Sequence, residues 1–435
     1  MRNTVIFVAG LHVFACVDER SFTQAERQLL DTHSLAATPP PDPSNKFGDD
    51  AAVAALGKRF FFDRRFSGAL LAPNDGVTNG SLGPAGTVGK VACVDCHQLE
   101  AGAADHRSRP SATSLGARYM PRNSPTLINH AFGDAHGGWN FWDGRKDSMW
   151  SLALAAVEGA AVYNSTRLYV AHTIYDVYKP EYEALFGPLP DLTDTVRFPP
   201  TGKPGDAAFD GMAAEDKAIV TRIYVNYGKA IAAYERRLVS SNFEPSAFDR
   251  MLAGDVGAMS PAAIRGAKLF IGKAACNECH SGSTFTDYKF HNTGAPQIGE
   301  RVPTIDVGRA GAVMTVKNDA FNRAGIYSDQ KDDSHLLALE VTPSMEGAFK
   351  TPTLRNVAKT APYMHDGAFE TLRDVVDFYN RGGGTGQFSG SREITIQPLL
   401  LDDGEINDLV EFLQSLSDGD PRATAEFPEG LATPL

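Results

Sequence analysis

The stretch Cys93-Val-Asp-Cys96-His97 has the same pattern as Cys276-Asn-Glu-Cys279-His280, and these two pentapeptides decide how the rest of the chain is interpreted. Two cysteines three positions apart, followed at once by a histidine, are typical of covalent c-type haem attachment. The two thiols bond to the vinyl groups of one porphyrin, and the adjacent imidazole ligates the iron. The sequence therefore predicts two covalently bound haem c groups, at a first and a second haem motif.

Two other uses of these four cysteines explain less. A zinc site would require two pairs that lie far apart in the sequence to converge, and the repeated histidine would have no explanation. A thioredoxin-like redox pair needs a βαβ context, which this sequence lacks. Cys16, in the N-terminal segment, is the fifth cysteine. Once both haems are attached, no free cysteine remains in the mature chain for a disulfide.

The composition excludes several classes of protein. The chain has 435 residues, of which 41 are Lys or Arg and 53 are Asp or Glu, for a net charge of −12. This length predicts two or three domains of roughly 150 residues each. A hydrophobic content of 43% is ample for packed cores and excludes disorder of the whole chain. Nucleic acid is excluded as a partner, because phosphate backbones are bound by clustered Lys and Arg.

The first 17 residues resemble a short secretory signal peptide. Arg2 is their only charge, and an apolar run extends from Val5 to Val17. The run is too short to cross a bilayer, and no other run approaches that length. We expect cleavage near Ala15, with a lipid anchor at Cys16 as the alternative. Because c-type haems are normally attached after export, the haem motifs independently predict a periplasmic location.

Helical spacing of apolar residues predicts a mainly α-helical fold with few strands. The predicted helices are Ala51–Phe62, 145–158, 213–239 and 261–271, and Ser260-Pro261 provides an N-cap and first residue for the last. We expect two cytochrome c-like domains, each wrapped around one covalent haem and joined by long loops. The predicted segments are a signal peptide at 1–17, an N-terminal arm at 18–50, an N-terminal haem domain at 51–250, a C-terminal haem domain at 251–420 and a tail at 421–435.

Five further motifs accompany the haem motifs in a fixed order, two after the first haem motif and three after the second. They are Arg122-Asn123-Ser124-Pro125-Thr126, Phe141-Trp142-Asp143-Gly144-Arg145, Phe290-His291-Asn292-Thr293-Gly294, Thr351-Pro352-Thr353-Leu354-Arg355-Asn356 and Pro362-Tyr363-Met364-His365-Asp366-Gly367. With these motifs the chain resembles the bacterial di-haem cytochrome c peroxidases, and more closely their MauG branch. Within that branch it looks most like the MbnH-type proteins of methanobactin gene clusters.

The resemblance implies a division of labour between the two haems. The haem on His97 would react with peroxide, and the haem on His280 would be six-coordinate and would store and transfer electrons. Met364 matches the family position of the second axial ligand, and a thioether raises the haem potential. The neighbouring Tyr363 and His365 stay open as ligands, and Met364 could equally be an ordinary core residue.

Two more roles come from the resemblance. Trp142 matches the tryptophan between the haems, where an indole would relay oxidising equivalents; a packed interface aromatic is the alternative. Asn123 matches a residue that helps to position a calcium ion, and Ca²⁺ takes oxygen ligands such as an amide carbonyl. The alternative for Asn123 is a residue that braces a loop through backbone hydrogen bonds.

The sequence departs from the family pattern around the first haem. In classical members of the family, a histidine in the loop after the first haem motif blocks the iron in the oxidised protein. The corresponding stretch here, Ser114-Leu115-Gly116-Ala117, has no histidine, so the first haem should be open to peroxide without prior reduction. His106, His130 and His136 are the histidines that could substitute. A family glutamine is replaced by Leu152, and the distal glutamate, which would carry the proton for O–O cleavage, by Val162. Glu158, one helical turn before Val162, is the acid that could substitute for this glutamate. The alternative is that Glu158 is an ordinary surface carboxylate.

These features favour a MauG-like enzyme. Hydrogen peroxide would produce two linked high-valent haems, which would extract electrons from a Trp or Tyr residue of a partner protein. The first alternative is a peroxidase that removes peroxide with electrons from a small cytochrome c or cupredoxin. The second is a non-catalytic di-haem electron carrier, which an open coordination site argues against.

Overall fold

The computed structural model describes residues 21–71, 82–107 and 113–419. The predicted signal peptide, the anchor at Cys16 and the tail at 421–435 lie outside these residues. The described part is mostly helical, with one two-stranded antiparallel ladder that pairs β1 (Phe290–His291) with β2 (Phe349–Lys350). The helices are α1 Gln24–Asp31, α2 Ala51–Phe62, α3 Cys93–Cys96, α4 Met149–Glu158, α5 Arg167–Phe186, α6 Ala207–Asp210, α7 Ala214–Glu235, α8 Ala247–Leu252, α9 Pro261–Ile271, α10 Arg309–Lys317, α11 Ser334–Leu337, α12 Leu372–Asn380 and α13 Asp403–Ser415.

The first hydrophobic core forms where α2, α4 and α5 pack on α7. Helix α7 is buried over most of its length, as expected of a helix that is apolar on several faces. The closest approach is at Gly57 of α2, where an added Cβ would lie 1.8 Å from the carbonyl oxygen of Ala230 in α7. Only glycine permits this close crossing of α7 by α2, the helix that precedes the first haem motif in the chain.

A second, separate core repeats this plan. Helix α13 packs on α9, and α12 packs on α13. An added Cβ at Gly266 of α9 would lie 1.9 Å from the carbonyl oxygen of Asp408 in α13. Each haem motif is therefore flanked by a helix pair that crosses in contact at a glycine.

The two cores are not contiguous in the sequence. Phe321, which follows the second haem motif, is buried in the first core, and Tyr327 packs against it. Leu30 of α1 is buried in the second core. Each core thus includes residues from outside the haem domain, 51–250 or 251–420, that the sequence predicts for it.

Helices α2 and α9 have the bounds that the sequence predicts, because each begins at a side-chain cap. Asp50 accepts hydrogen bonds from the first turn of α2, and Ser260 from the first turn of α9. The helix predicted at 145–158 begins later, at Met149, because Ser148 is its N-cap. In the described part of the chain, no helix is both long and apolar enough to cross a membrane.

Candidate functional site

The first haem motif is a single helical turn, α3. The side chain of Asp95 accepts a hydrogen bond from the backbone N–H of Ala92 at 2.8 Å, and Arg64 binds the same carboxylate at 2.6 and 3.0 Å. One turn brings the thiols of Cys93 and Cys96 to the same face, since residues three apart are neighbours on a helix. Burial raises the pKa of both thiols to about 12, so neither is a thiolate in the protein without haem.

The two motif histidines have the same tautomer. The Nδ1–H of His97 donates to the carbonyl oxygen of Ala103 at 3.1 Å, and that of His280 donates to the carbonyl oxygen of Phe285 at 3.0 Å. Burial lowers the pKa of both imidazoles, which are therefore neutral. With Nδ1 protonated, Nε2 carries the lone pair that an iron requires, as is usual for metal-ligating histidines. The residues of both motifs thus fit covalent haem.

A cavity of about 530 Å³ opens beside the first haem motif. Its volume is within the range of roughly 300–1,000 Å³ that is typical of small-molecule and cofactor sites, and its walls are mostly apolar. Its lining includes Cys93, Cys96, His97, Arg122, Asn123, His130, Trp139, Trp142, Leu152, Ala155, Ala156, Val162, Glu235, Tyr288 and Lys350.

In the described chain, the wall formed by α4 and the loop after it has no carboxyl, imidazole or amino group, and the phenol of Tyr163 at its end donates to the Sγ of Cys93. It consists of Leu152, Ala155, Ala156 and Val162, together with small residues. The residues at the two positions where the family has Gln and Glu therefore line the cavity, but as apolar groups. A small ligand there would meet hydrocarbon instead of a proton carrier.

The three histidines considered as blocking ligands lie in different places. His106 and His136 are exposed and do not line the cavity. His130 lines it, but its Nε2 is held by the side-chain oxygen of Asn140. Ser114, in the loop where the family histidine would stand, is bonded to Asn123 at 3.0 Å.

Glu158 is not placed as an acid of this cavity. Its carboxylate forms a two-pronged ion pair with Arg167, at 2.8 and 2.9 Å, and accepts the backbone N–H of the same residue. It is absent from the described lining of the cavity. Of the two alternatives for Glu158, this placement does not favour the substitute acid, because Arg167 at the start of α5 holds the carboxylate.

A different carboxyl group, missed by the sequence analysis, lines the cavity. Glu235 at the end of α7 is 2% exposed, and its Oε2 has no hydrogen-bond partner. Burial raises the pKa of Glu235 to about 8, so it is a neutral acid at pH 7. The sequence gives little signal for this burial, because Glu235 is followed directly by Arg236 and Arg237 and so resembles part of a charged helix end.

Trp142 and Asn123 connect the cavity with the segment that contains Met364. The indole N–H of Trp142 donates to the carbonyl oxygen of Asn123 at 2.9 Å. The backbone N–H of Asn123 donates to the carbonyl oxygen of His365 at 2.7 Å, and its amide donates to the carbonyl oxygen of Pro362 at 3.1 Å. Because its side-chain oxygen accepts from Ser114, Asn123 braces two loops; a calcium ion at this residue stays a prediction.

The second haem motif is a 3-10 turn, Cys276–Glu278, followed by Cys279 and His280. Tyr379, which the sequence analysis did not single out, lies near both thiols: burial and then the charges of Cys279 and Cys276 raise the pKa of its phenol. Met364 lies half-buried in a turn with a φ of 72°, which is uncommon for a residue with a side chain.

The neighbours of Met364 are engaged elsewhere. His365 is 2% exposed, stacks on Phe349 with ring centroids 3.7 Å apart and contacts Gln297 through Nε2. Burial raises the pKa of the Tyr363 phenol to about 12, which disfavours a phenolate ligand. Met364 therefore stays the predicted axial ligand.

The four motif cysteines do not form a metal cluster. In the described residues, the group of side chains close enough to share an ion is Cys279, Asp287 and His291. The zinc interpretation has no support in this arrangement, and Cys279 has another use if haem is attached.

Comparisons with known proteins show which family the chain is similar to. A family model described as di-haem cytochrome c peroxidase matches residues 51–257. The chain is 32% identical over 379 residues to the cytochrome-c peroxidase IdrP1 of Denitromonas iodatirespirans, which covers 85% of this chain and 83% of the relative. It is 29% identical over 364 residues to the methylamine utilization protein MauG of Methylorubrum extorquens, with 83% and 77% covered.

A solved structure shares the fold. The crystal structure of a MauG-like protein associated with microbial copper homeostasis superposes with a TM-score of 0.58 at 23% identity, and the match covers 90% of this chain and 97% of that one. Members of the matched family carry haem c and are oxidoreductases that act on peroxide, which argues against a non-catalytic carrier. The chain belongs to the family of di-haem cytochrome c peroxidases and MauG.

Proposed function

We propose that this protein uses hydrogen peroxide to oxidise a residue, Trp or Tyr, of a partner protein. The observation that carries the proposal is the apolar wall of Leu152, Ala155, Ala156 and Val162; of the histidines considered as blocking ligands, only His130 lines the cavity, and Asn140 holds its Nε2. This wall leaves room for peroxide but supplies no acid at the family's distal position for fast turnover with a small donor; the acid that lines the cavity, Glu235, lies on α7 instead. When bound, the two haems supply the redox chemistry and together hold two oxidising equivalents.

The residues have separate tasks in this proposal. Cys93, Cys96, Cys276 and Cys279 attach the haems through thioether bonds. His97 ligates the first iron and His280 the second, each fixed by its Nδ1 hydrogen bond. Met364 completes the second site and Trp142 relays electrons between the two. Each haem would belong to its own domain, 51–250 or 251–420.

The proposed setting is the periplasm, after removal of the signal peptide 1–17. Covalent haem attachment normally follows export, and this supports a periplasmic location. The side-chain oxygen of Asn123 accepts from the hydroxyl of Ser114 and the backbone N–H of Ser124, so its use by a calcium ion would require one of these bonds to be released.

A second candidate function is the removal of peroxide with electrons from a small donor protein. The name cytochrome-c peroxidase, carried by a relative that is 32% identical, favours it. The two candidates differ in whether the oxidised protein persists when no donor is present.

Optical and EPR spectroscopy of the oxidised protein, before and after one equivalent of peroxide and without a donor, tests the proposal. We expect one high-spin and one low-spin haem at rest, and then a long-lived oxidised species with near-infrared absorption. Two low-spin haems that react only after reduction would indicate a donor-dependent peroxidase. A spectrum that peroxide leaves unchanged in both redox states would reject both functions.

A Trp142→Phe variant tests the relay in the same measurement. We expect the near-infrared absorption to be lost or its decay to be accelerated, because the indole would no longer connect the two sites. The control is Trp150→Phe, since Trp150 does not line the cavity. Identical formation and decay in parent and Trp142→Phe would show that Trp142 is only a packed aromatic.

A further inference from the structure

The three tryptophans of the chain differ in their electrostatic surroundings. The guanidinium carbon of Arg309 lies 4.1 Å from the ring centroid of Trp139, and the Nζ of Lys229 lies 5.3 Å from that of Trp150. Within the described residues, no cation lies over Trp142. Trp139 and Trp142 both line the cavity of the first haem motif. The same cavity therefore has one indole beneath a cation and one without.

The cation over Trp139 is buried, and Asp143, the carboxylate that acts on it electrostatically, forms its ion pairs with Arg122 and Arg145 instead. Arg309 is 1% exposed and lies between the rings of Trp139 and Phe290, at 4.1 and 4.2 Å. It donates to the carbonyl oxygens of Asp143 at 3.1 Å and Gly144 at 2.7 Å. In the described chain no carboxylate reaches it within ion-pair distance. Burial lowers its pKa to about 10, so it still carries its charge at neutral pH.

Lys229 is a weaker case of the same contact. Its ammonium group forms an ion pair with Asp329 at 2.5 Å, which offsets the charge that Trp150 experiences. Trp150 is also fully buried and does not line the cavity. The contrast that matters is therefore between Trp139 and Trp142.

The charge of Arg309 acts in opposite directions on the two redox states of Trp139. A cation attracts the electron-rich face of a neutral indole. Loss of one electron makes the indole a cation, and the attraction becomes repulsion between two unit charges about 4 Å apart in a partly buried site. Trp142 has the reverse setting, since its N–H donates to the Asn123 carbonyl at 2.9 Å, a bond that strengthens when the ring is positive.

We propose that Arg309 makes Trp139 resistant to oxidation and so confines oxidising equivalents from the first haem site to Trp142. This inference rests on the proposed function. Peroxide takes up two electrons and two protons to give two waters. When Trp142 relays those electrons, they come from the partner. If Trp139 supplied them, its indole would gain one oxygen from water and release two protons and two electrons, a self-inflicted oxidation.

Arg309→Gln removes the charge and retains an amide that can donate to the two carbonyl oxygens; Arg309→Lys, the matched control, retains the charge. Each protein receives peroxide without a donor, and peptide mass mapping measures the oxygen added to Trp139. We expect at least about a tenfold increase in Arg309→Gln relative to the parent, and no increase in Arg309→Lys. In the double variant Arg309→Gln/Trp139→Phe, which lacks this indole, the oxidised species should again decay as it does in the parent.

A second measurement needs no variant and no peroxide. Photogenerated azide radicals oxidise tryptophans by one electron, and both Trp139 and Trp142 are half-buried. In the parent, we expect Trp142 to be oxidised at least about tenfold more than Trp139. Equal oxidation of the two would overturn the inference, and so would an Arg309→Gln protein that forms the oxidised species without extra oxygen on Trp139. A parent that does not respond to peroxide rejects the proposed function instead, and the azide result then stands alone.

Discussion

At the scale of single residues, the segment from Pro362 to Gly367 shows how neighbouring side chains can be distinguished as ligands. His365 is held by Phe349 and Gln297, and the Tyr363 phenol is neutral because burial raises its pKa to about 12. Met364 has neither restraint and sits at a positive φ of 72°. Such a backbone conformation is retained where the surrounding structure imposes it.

We expect Met364→Ala to convert the haem on His280 from low spin to high spin, because the iron would lose its sixth ligand. EPR of the oxidised protein measures this change. Met314→Ala is the matched control, since Met314 is 55% exposed on α10. A low-spin signal unchanged by Met364→Ala would mean that another side chain is the ligand.

The residues of the site differ in how far the sequence could predict them. The haem motifs are local, so Cys93, Cys96 and His97 are readable from spacing alone. The position of the Glu158 carboxylate depends on its ion pair with Arg167, which lies at the start of the next helix. The burial of Glu235 depends on three other helices packing on α7. Neither effect has a signature in a single sequence.

At the scale of helices, the two glycine crossings define the scaffold behind each haem motif. Glycine inside a helix normally costs about 1 kcal/mol relative to alanine, so an alanine there would usually stabilise. At Gly57 the added Cβ would lie 1.8 Å from the oxygen of Ala230, and at Gly266 it would lie 1.9 Å from that of Asp408. Since both obstacles are backbone atoms, the helices would have to separate.

We therefore expect Gly57→Ala and Gly266→Ala each to lower the free energy of unfolding by about 1–3 kcal/mol, as overpacked cores do. Urea unfolding measures the loss. Gly386→Ala is the control, because Gly386 is exposed and an added Cβ meets nothing within 4 Å. A stabilised Gly57→Ala or Gly266→Ala protein would show that the crossing tolerates a side chain.

Helices with a strong local signal were predictable, and those without one were missed. Helices α2 and α9 combine a cap with apolar spacing. The 20-residue helix α5 was missed because its polar and apolar residues alternate weakly and Pro180 lies inside it. Helix α1 was missed within the predicted arm, although Thr23 and Glu26 form a capping box that marks its start.

At the scale of the whole molecule, Arg122 joins the two halves of the chain. Its guanidinium binds Asp143 at 2.6 Å and Asp306 at 2.7 Å, and all three side chains are largely buried. Burial alone would raise the pKa of both carboxyl groups. The arginines outweigh it: Arg145 and Arg122 lower the pKa of Asp143, and Arg122 lowers that of Asp306.

We expect Arg122→Met to lower the free energy of unfolding by about 3–5 kcal/mol at pH 7, because it leaves two buried carboxylates without this partner. A lowered carboxyl pKa stabilises the fold above the unfolded value of about 3.9, and this stabilisation is lost as pH falls through the folded pKa. The difference between parent and variant should therefore narrow below about pH 4.

Denaturant titrations at pH 3.5 and 7 measure this narrowing. Arg265→Met is the control, since its ion pair with Asp408 is half-exposed; we expect a loss of less than about 1 kcal/mol. A difference for Arg122→Met that stays constant with pH would show that lost packing, and not charge, causes the destabilisation.

The segment 21–50 also touches both halves, through contacts with residues far along the chain. Arg27 donates to Leu252 at 2.6 Å, His33 contacts Gly282 at 2.8 Å and receives a bond from Arg355 at 2.8 Å, and Asn45 donates to Lys229 at 3.0 Å. This segment is synthesised before all four of these partners. A growing polypeptide can therefore form the contacts of Asn45 and Arg27 before the second haem motif is made, but it completes those of His33 only after residue 355 has been added.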